Sequence, residues 1–237
     1  MNKYFKKKQA HGFKDTFNFF MIEGLNLVSD FEIPYITKYS GPVPKRLTSY
    51  IKSDSKSKES FLHFYLYDYT FDGRNGVWYG CQENSKRIKS LIAKLSKYQG
   101  IISPDFSVYI DLPLAAQIWN IYRDRVMCMW MRSLGFNVVF NIRWADYRTY
   151  DLVFFGIEKH STLAIGSHGL IKNPENRQIF MDGFLEMIKR LEPSCLIIYG
   201  PVLKEMREVC DAKNIKIINF DSEQTTSRKE KGYGWWK

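Results

Sequence analysis

Short apolar runs alternate along this chain with segments whose apolar residues recur every three or four positions. The runs at 101–102, 138–142 and 162–165 each give way to a polar cluster: Ser103-Pro104-Asp105, Asn141-Ile142-Arg143-Trp144 and Ser167-His168-Gly169. Upstream, residues 61–67 alternate and are rich in aromatics, which predicts a strand ending at Asp68. Downstream, residues 195–199 and 215–220 predict two more strands. Helical periods fall between the runs, at 85–98, 112–134, 174–191 and 203–212. A first strand is expected within 25–36, and loops at 40–44 and 53–60. Residues 147–155 fit a helix or an extended segment equally.

This rhythm predicts an α/β fold, a mostly parallel sheet with covering helices. The near-continuous apolar strands FNVVFNI, TLAI, CLIIY and IKIINF fit a sheet covered on both faces. Strand order is not encoded in the pattern, so an open sheet and a barrel-like (β/α) arrangement are both compatible with it. The expected organisation is a basic, aromatic arm at 1–24, one α/β domain at 25–221 and a polar, basic tail at 222–237. In the longest helix, 112–134, Pro113 suits the first turn and Asp111 is the expected N-cap. Its apolar face is expected to carry Leu114, Ile118, Ile121, Met129 and Trp130.

Charge narrows the choice of partner. The 237 residues carry 35 Lys and Arg against 25 Asp and Glu, a net charge of +10. That balance favours a polyanion, with nucleic acid, DNA first, ahead of a membrane surface. The arm interleaves Lys3, Lys6, Lys7 and Lys8 with Tyr4 and Phe5, a mixture suited to phosphates and stacked bases. Packing of those aromatics on the core is the alternative. The four cysteines form no C-x-x-C pair, so reduced thiols and no zinc site are expected. The first residues lack an apolar signal core, and no window approaches ~18 consecutive apolar residues. The cytoplasm is therefore the expected location.

In parallel α/β folds the chemistry gathers at the carboxyl ends of the strands. That rule selects Asp105, His168 and Asp146 as catalytic candidates. It selects Asp68, Ser103, Asn141, Arg143, Trp144 and Tyr199 as substrate-binding candidates. Asp105 follows a strand without a helix directly behind it, so it is free to act as a base, a nucleophile or a ligand. Arg143 suits phosphate or carboxylate, and Trp144 a stacked base. The competing reading pairs Arg143 with Asp146 over a packed Trp144. His168 lies between Gly166 and Gly169, which permit close approach of a ligand. His63, inside a strand, is expected to be packed. The chain has no P-loop, no dinucleotide fingerprint, no H-E-x-x-H and no G-x-S-x-G. ATP and NAD chemistry are disfavoured; no cofactor is expected, with a divalent metal left open.

The strings ISPDFSVYIDLPLAAQIWNIYRDR, NIRWADYRTYDLVFFGIEKHSTLAIGSHGLIKN and LEPSCLIIYGP resemble an uncharacterised family, domain of unknown function 4417. The resemblance covers most of residues 32–223 and is most specific at I-S-P-D-F-S, D-x-P-x-A-x-Q-I-W-N, N-x-R-W and S-H-G. The family pattern has Gly where this chain has Ala145, so the loop at Asp146 is expected to differ. The resemblance implies a setting in phages and mobile elements, and implies no reaction.

Three functions follow as expectations. The first is a DNA-processing enzyme that cleaves an N-glycosidic bond, with Asp105 and His168 as its reacting groups. The second is a metal-dependent nuclease using Asp68, Asp105, Asp146 and His168. The third is a DNA-binding replication or anti-defence factor without catalysis.

Overall fold

The computed structural model describes residue 15, residues 17–52 and residues 54–230. The lysines at positions 3–8 of the expected arm, and the last seven residues of the tail, lie outside the described residues.

A small antiparallel hairpin, β1 (Leu27–Val28) and β2 (Ile33–Pro34), precedes the main sheet. The sheet has seven strands: β3 (Arg46–Ser49), β4 (Ser60–His63), β5 (Gly100–Ile102), β6 (Val138–Asn141), β7 (Thr162–Gly166), β8 (Cys195–Tyr199) and β9 (Lys216–Phe220). All neighbours are parallel, and their spatial order is their chain order. The α-helices are α1 (Asp68–Phe71), α2 (Lys86–Leu95), α3 (Leu114–Ser133), α4 (Tyr147–Phe154), α5 (Pro174–Leu191), α6 (Lys204–Ala212) and α7 (Glu223–Glu230).

Strictly sequential order decides between the two expected architectures. Right-handed crossovers that never reverse direction set their helices on one face of the sheet. The sheet then curls away from them, here into a half-barrel. Alternation along the strands separates two cores. The larger joins Leu62, Ile101, Val138, Leu163 and Leu196 to Met127, Phe184 and Ile188 of the helices. The smaller lines the concave face with Phe61, Ile102, Val139, Ala164 and Ile197, closed by Tyr39. The expected sheet covered on both faces is thus corrected in one respect. The inner face is filled by the strands' own side chains, which explains the same apolar sequences. Gly100 is part of that filling: a Cβ there would lie 2.4 Å from the Phe61 ring.

The seam of the half-barrel is bridged by side chains. Lys52, three residues past β3, pairs with Glu223, three residues past β9, at 3.0 Å.

Three other expectations are corrected. The helix α3 starts at Leu114 with Pro113 at its cap, so Asp111 lies upstream of the cap and does not fill it. Leu114 is exposed, and the buried positions of α3 include Gln117, Asn120, Arg123, Asp124 and Arg125. The Arg125 guanidinium donates to the carbonyls of Pro34, Leu152, Val153 and Phe155, tying the hairpin and the end of α4 to α3. The strand expected at 61–67 ends at His63. Residues 223–230 of the polar tail form α7. Residues 147–155 resolve as helix because Asp146 caps them, accepting from the Arg148 amide.

Candidate functional site

The loop that follows β5 carries Asp105, and polar residues of α3 hold this loop. Asp124 accepts from the Phe106 amide at 3.1 Å. Asn120 donates to the Ser107 carbonyl at 2.6 Å. The Arg123 guanidinium lies over the Phe106 ring, 4.1 Å from its centroid, and pairs with Asp72 at 2.5 Å. A helix interior with so many charged groups is unusual in a core, and each of these groups serves the one loop.

Asp105 sits at the centre of a network across three strand ends. Asn141, at the end of β6, donates its amide to Asp105 Oδ1 at 2.8 Å. The Asn141 backbone N–H donates to Ser103 Oγ at 2.8 Å, which locks β6 against the end of β5. The Tyr65 hydroxyl donates to Asn141 Oδ1 at 2.9 Å, fixing which end of the amide faces Asp105. Arg143 Nε lies 3.9 Å from Asp105 Oδ1. Another nitrogen of that guanidinium reaches the Gly166 carbonyl at the end of β7, at 3.5 Å. Asp105 is only 7% exposed, at the bottom of this rim.

Aromatic rings back the network. Tyr65 stacks on Tyr199 with centroids 4.7 Å apart, and His63 lies 4.8 Å from Tyr199. A Cβ on Gly166 would stand 3.0 Å from the Tyr65 ring, so the glycine makes room for that stack. The Tyr199 hydroxyl accepts from the Glu223 amide at 3.0 Å and so holds the start of α7.

Burial governs the protonation of the surrounding groups. It pushes the Asp68 carboxyl up, against two hydrogen bonds from Ser107. It pushes Asp124 well above the usual carboxylate range, with the charge of Asp105 adding to the effect. It pushes the Tyr65 hydroxyl well up, and His63 down to about 3, so that imidazole is neutral.

Of the residues selected from sequence, Ser103, Asp105, Asn141, Arg143 and Tyr199 are thus joined in one cluster. Asp68 abuts it through Ser107. Two selected residues, Trp144 and Asp146, are engaged elsewhere, and a third, His168, contacts α7. Trp144 is buried, stacked on Phe180 at 5.3 Å and packed against Gly183, where a Cβ would lie 2.2 Å from the indole nitrogen. Its expected role as a base platform is corrected: its faces belong to the helix layer. Asp146 caps α4 and pairs with Arg148 at 2.9 Å, not with Arg143. The His168 ring nitrogen Nε2 is 3.2 Å from Gln224 Oε1 on α7. Sequence reasoning missed Tyr65 and the α3 residues Asn120, Arg123 and Asp124. The alternation Phe61, His63, Tyr65 was the signal for the first, since it puts all three on the concave face. Among the described residues, no three His, Cys, Asp or Glu side chains are grouped to hold a metal ion. None of the described helices is long and apolar enough to cross a membrane.

Residues 25–221 match the family described as Domain of unknown function (DUF4417). The chain belongs to this family. Two relatives of the chain are phage proteins. The "Gene 1 protein" of Mycobacterium phage L5 is 35% identical over 154 residues, which cover 62% of this chain and 63% of that protein. The "Gene 1 protein" of Mycobacterium phage D29 is 31% identical over 175 residues, 73% of this chain and 59% of that protein. The chain therefore spans less than two thirds of the length of these relatives. No solved structure matches this DUF4417 chain significantly.

Proposed function

We propose that this protein processes DNA in a phage, mobile-element or phage-conflict setting, and that its site cleaves an N-glycosidic bond. The observation that carries the reading is a carboxylate, Asp105, oriented by Asn141 and flanked by Arg143 at the strand ends. In such a cleavage, water adds to the sugar C1′ and the C1′–N bonding pair leaves with the base. Asp105 stabilises the positive charge on the sugar and takes the proton of the incoming water. Arg143 faces the negative charge that builds on the departing base. His168, past the end of β7, is the candidate for returning a proton to that base. The net charge of +10 supports attraction to the DNA backbone, and the phage relatives support the setting.

The nuclease reading has less support, because Asp146 is engaged by Arg148 and no three His, Cys, Asp or Glu side chains among the described residues are grouped to hold a metal ion. One experiment separates the readings. The protein is incubated with labelled single- and double-stranded DNA, plain and base-modified, with and without EDTA, and then treated with alkali. Breaks that need alkali and ignore EDTA support base excision. Breaks abolished by EDTA favour the nuclease. Binding without breaks, which weakens steeply with salt, favours the non-catalytic factor.

A further inference from the structure

Several of the large apolar side chains that the described residues expose lie on the segments that follow three neighbouring strands. Tyr67 and Tyr69 follow β4 and are 66% and 79% exposed. Tyr109 follows β5 and is 50% exposed; Tyr147 follows β6 and is 78% exposed. Two hydrogen-bonded contacts set these segments side by side. Asp68, between the first two tyrosines, accepts from Ser107 of the β5 loop at 2.7 Å. Arg148, beside Tyr147, donates to the carbonyl of Ile110, the residue after Tyr109, at 3.1 Å. Every one of the four tyrosines is thus within one residue of a group that links its segment to the next or to Asp105's own loop. All four belong to segments at the carboxyl ends of β4, β5 and β6, the end of the sheet that carries Asp105.

Exposed tyrosines in water gain little unless something covers them. Two of them are already arranged for a flat partner. The rings of Tyr67 and Tyr69 are parallel to within 7°, with centroids 5.7 Å apart. Cations accompany the rings. Arg74 lines a depression of about 300 Å³ shared with Tyr69, and Arg148, paired with Asp146, lies beside Tyr147. Flat aromatic faces with adjacent cations are the surface that unpaired nucleotides recognise, bases on rings and phosphates on cations. A paired duplex hides its base faces and offers nothing for Tyr67 and Tyr69 to stack on.

We infer that this tyrosine rim is a binding track for unpaired DNA, which feeds a nucleotide into the Asp105 site. The inference rests on the DNA-processing reading above and adds its substrate form: a single strand, or a duplex opened locally.

The test measures fluorescence anisotropy of a labelled 12-nucleotide DNA strand, the matching blunt duplex and the matching RNA strand. It uses the full chain carrying Asp105→Asn, so that no cleavage intervenes. The expected result is single-stranded DNA bound at least tenfold more tightly than duplex. Tyr67→Ala with Tyr69→Ala then weakens single-strand binding at least tenfold and leaves duplex binding unchanged, whereas the paired Phe substitutions retain it. Both residues are exposed, so a thermal melt is expected to match the parent. Equal binding by the Ala pair, tighter binding of duplex or of RNA, or no binding to any strand would overturn the inference. The two readings fail separately. Stacking without alkali-labile breaks defeats base excision and leaves the rim standing, and excision unaffected by the tyrosines does the reverse.

Discussion

Tyr65 and Tyr199 stack face to face at 4.7 Å, although β4 and β8 are four strand positions apart. In a flat sheet those strands would be about 19 Å apart. The contact therefore measures the curl of the half-barrel, and it props the mouth in which Asp105 lies.

The two rings should separate in mutagenesis. Tyr199→Ala removes a buried ring and is expected to cost about 3–5 kcal/mol in urea unfolding. Tyr65→Phe keeps the stack and costs about 1 kcal/mol for the lost hydrogen bond. Its larger effect should be on turnover, because the Asn141 amide is no longer held toward Asp105. Equal stability and full activity in Tyr65→Phe would show that this bond does not orient the site.

Asp105→Asn preserves size and removes charge. Activity on DNA is expected to fall about 10²–10³-fold while DNA binding persists. His168→Ala, assayed in parallel, should slow the reaction most where the base is a poor leaving group. Undiminished strand-breakage by both variants would place the chemistry elsewhere.

Trp144 provides a contrast between packing and binding. Trp144→Ala is expected to destabilise by about 3–5 kcal/mol. Gly183→Ala, which drives a methyl into the indole, should cost about 1–3 kcal/mol. Anisotropy titrations of the folded variants should leave DNA affinity unchanged. A loss of affinity at unchanged stability would restore Trp144 as a base platform.

His63 makes stability depend on pH. Burial holds its imidazole down to about 3, with the Lys52 charge adding to the effect, whereas in the unfolded chain it titrates near about 6.5. Between these values the unfolded state binds the extra proton, so stability is complete above about pH 6.5 and is lost as pH falls. The loss amounts to about 2 kcal/mol at pH 5. The raised Asp68 and Asp124 act in the opposite sense, being destabilising where they must ionise. The measurement is therefore a difference: His63→Phe should unfold with a flatter acid limb than the parent between pH 5 and 7. Parallel limbs would refute the assignment.

The strands and helices of the central and C-terminal chain were legible because their apolar periods are clean. Pro174–Leu191 and Cys195–Tyr199 fall where the pattern put them. β3 was not legible, since Arg46–Ser49 has one apolar residue and lies on a sheet edge. The rule of strand ends selected Asp105, Asn141 and Arg143, which the structure brings together. It failed for Trp144, because a residue just past a strand can turn into the helix layer as readily as toward the mouth. It was blind to Asn120, Arg123 and Asp124, which come from the middle of a helix and act through backbone groups of another loop. No period marks such residues; only their partners do.

The seam between β3 and β9 has a mechanical consequence. Everywhere else in the sheet, adjacent strands are joined by ladders of backbone hydrogen bonds. Across the seam, the ion pair between Lys52 and Glu223 is exposed and worth at most about 1 kcal/mol. Parting any other pair of strands breaks a backbone ladder, whereas none joins β3 to β9 among the described residues. Within the sheet, this is therefore the junction held without a ladder, and its parting is the one that would widen the mouth above Asp105.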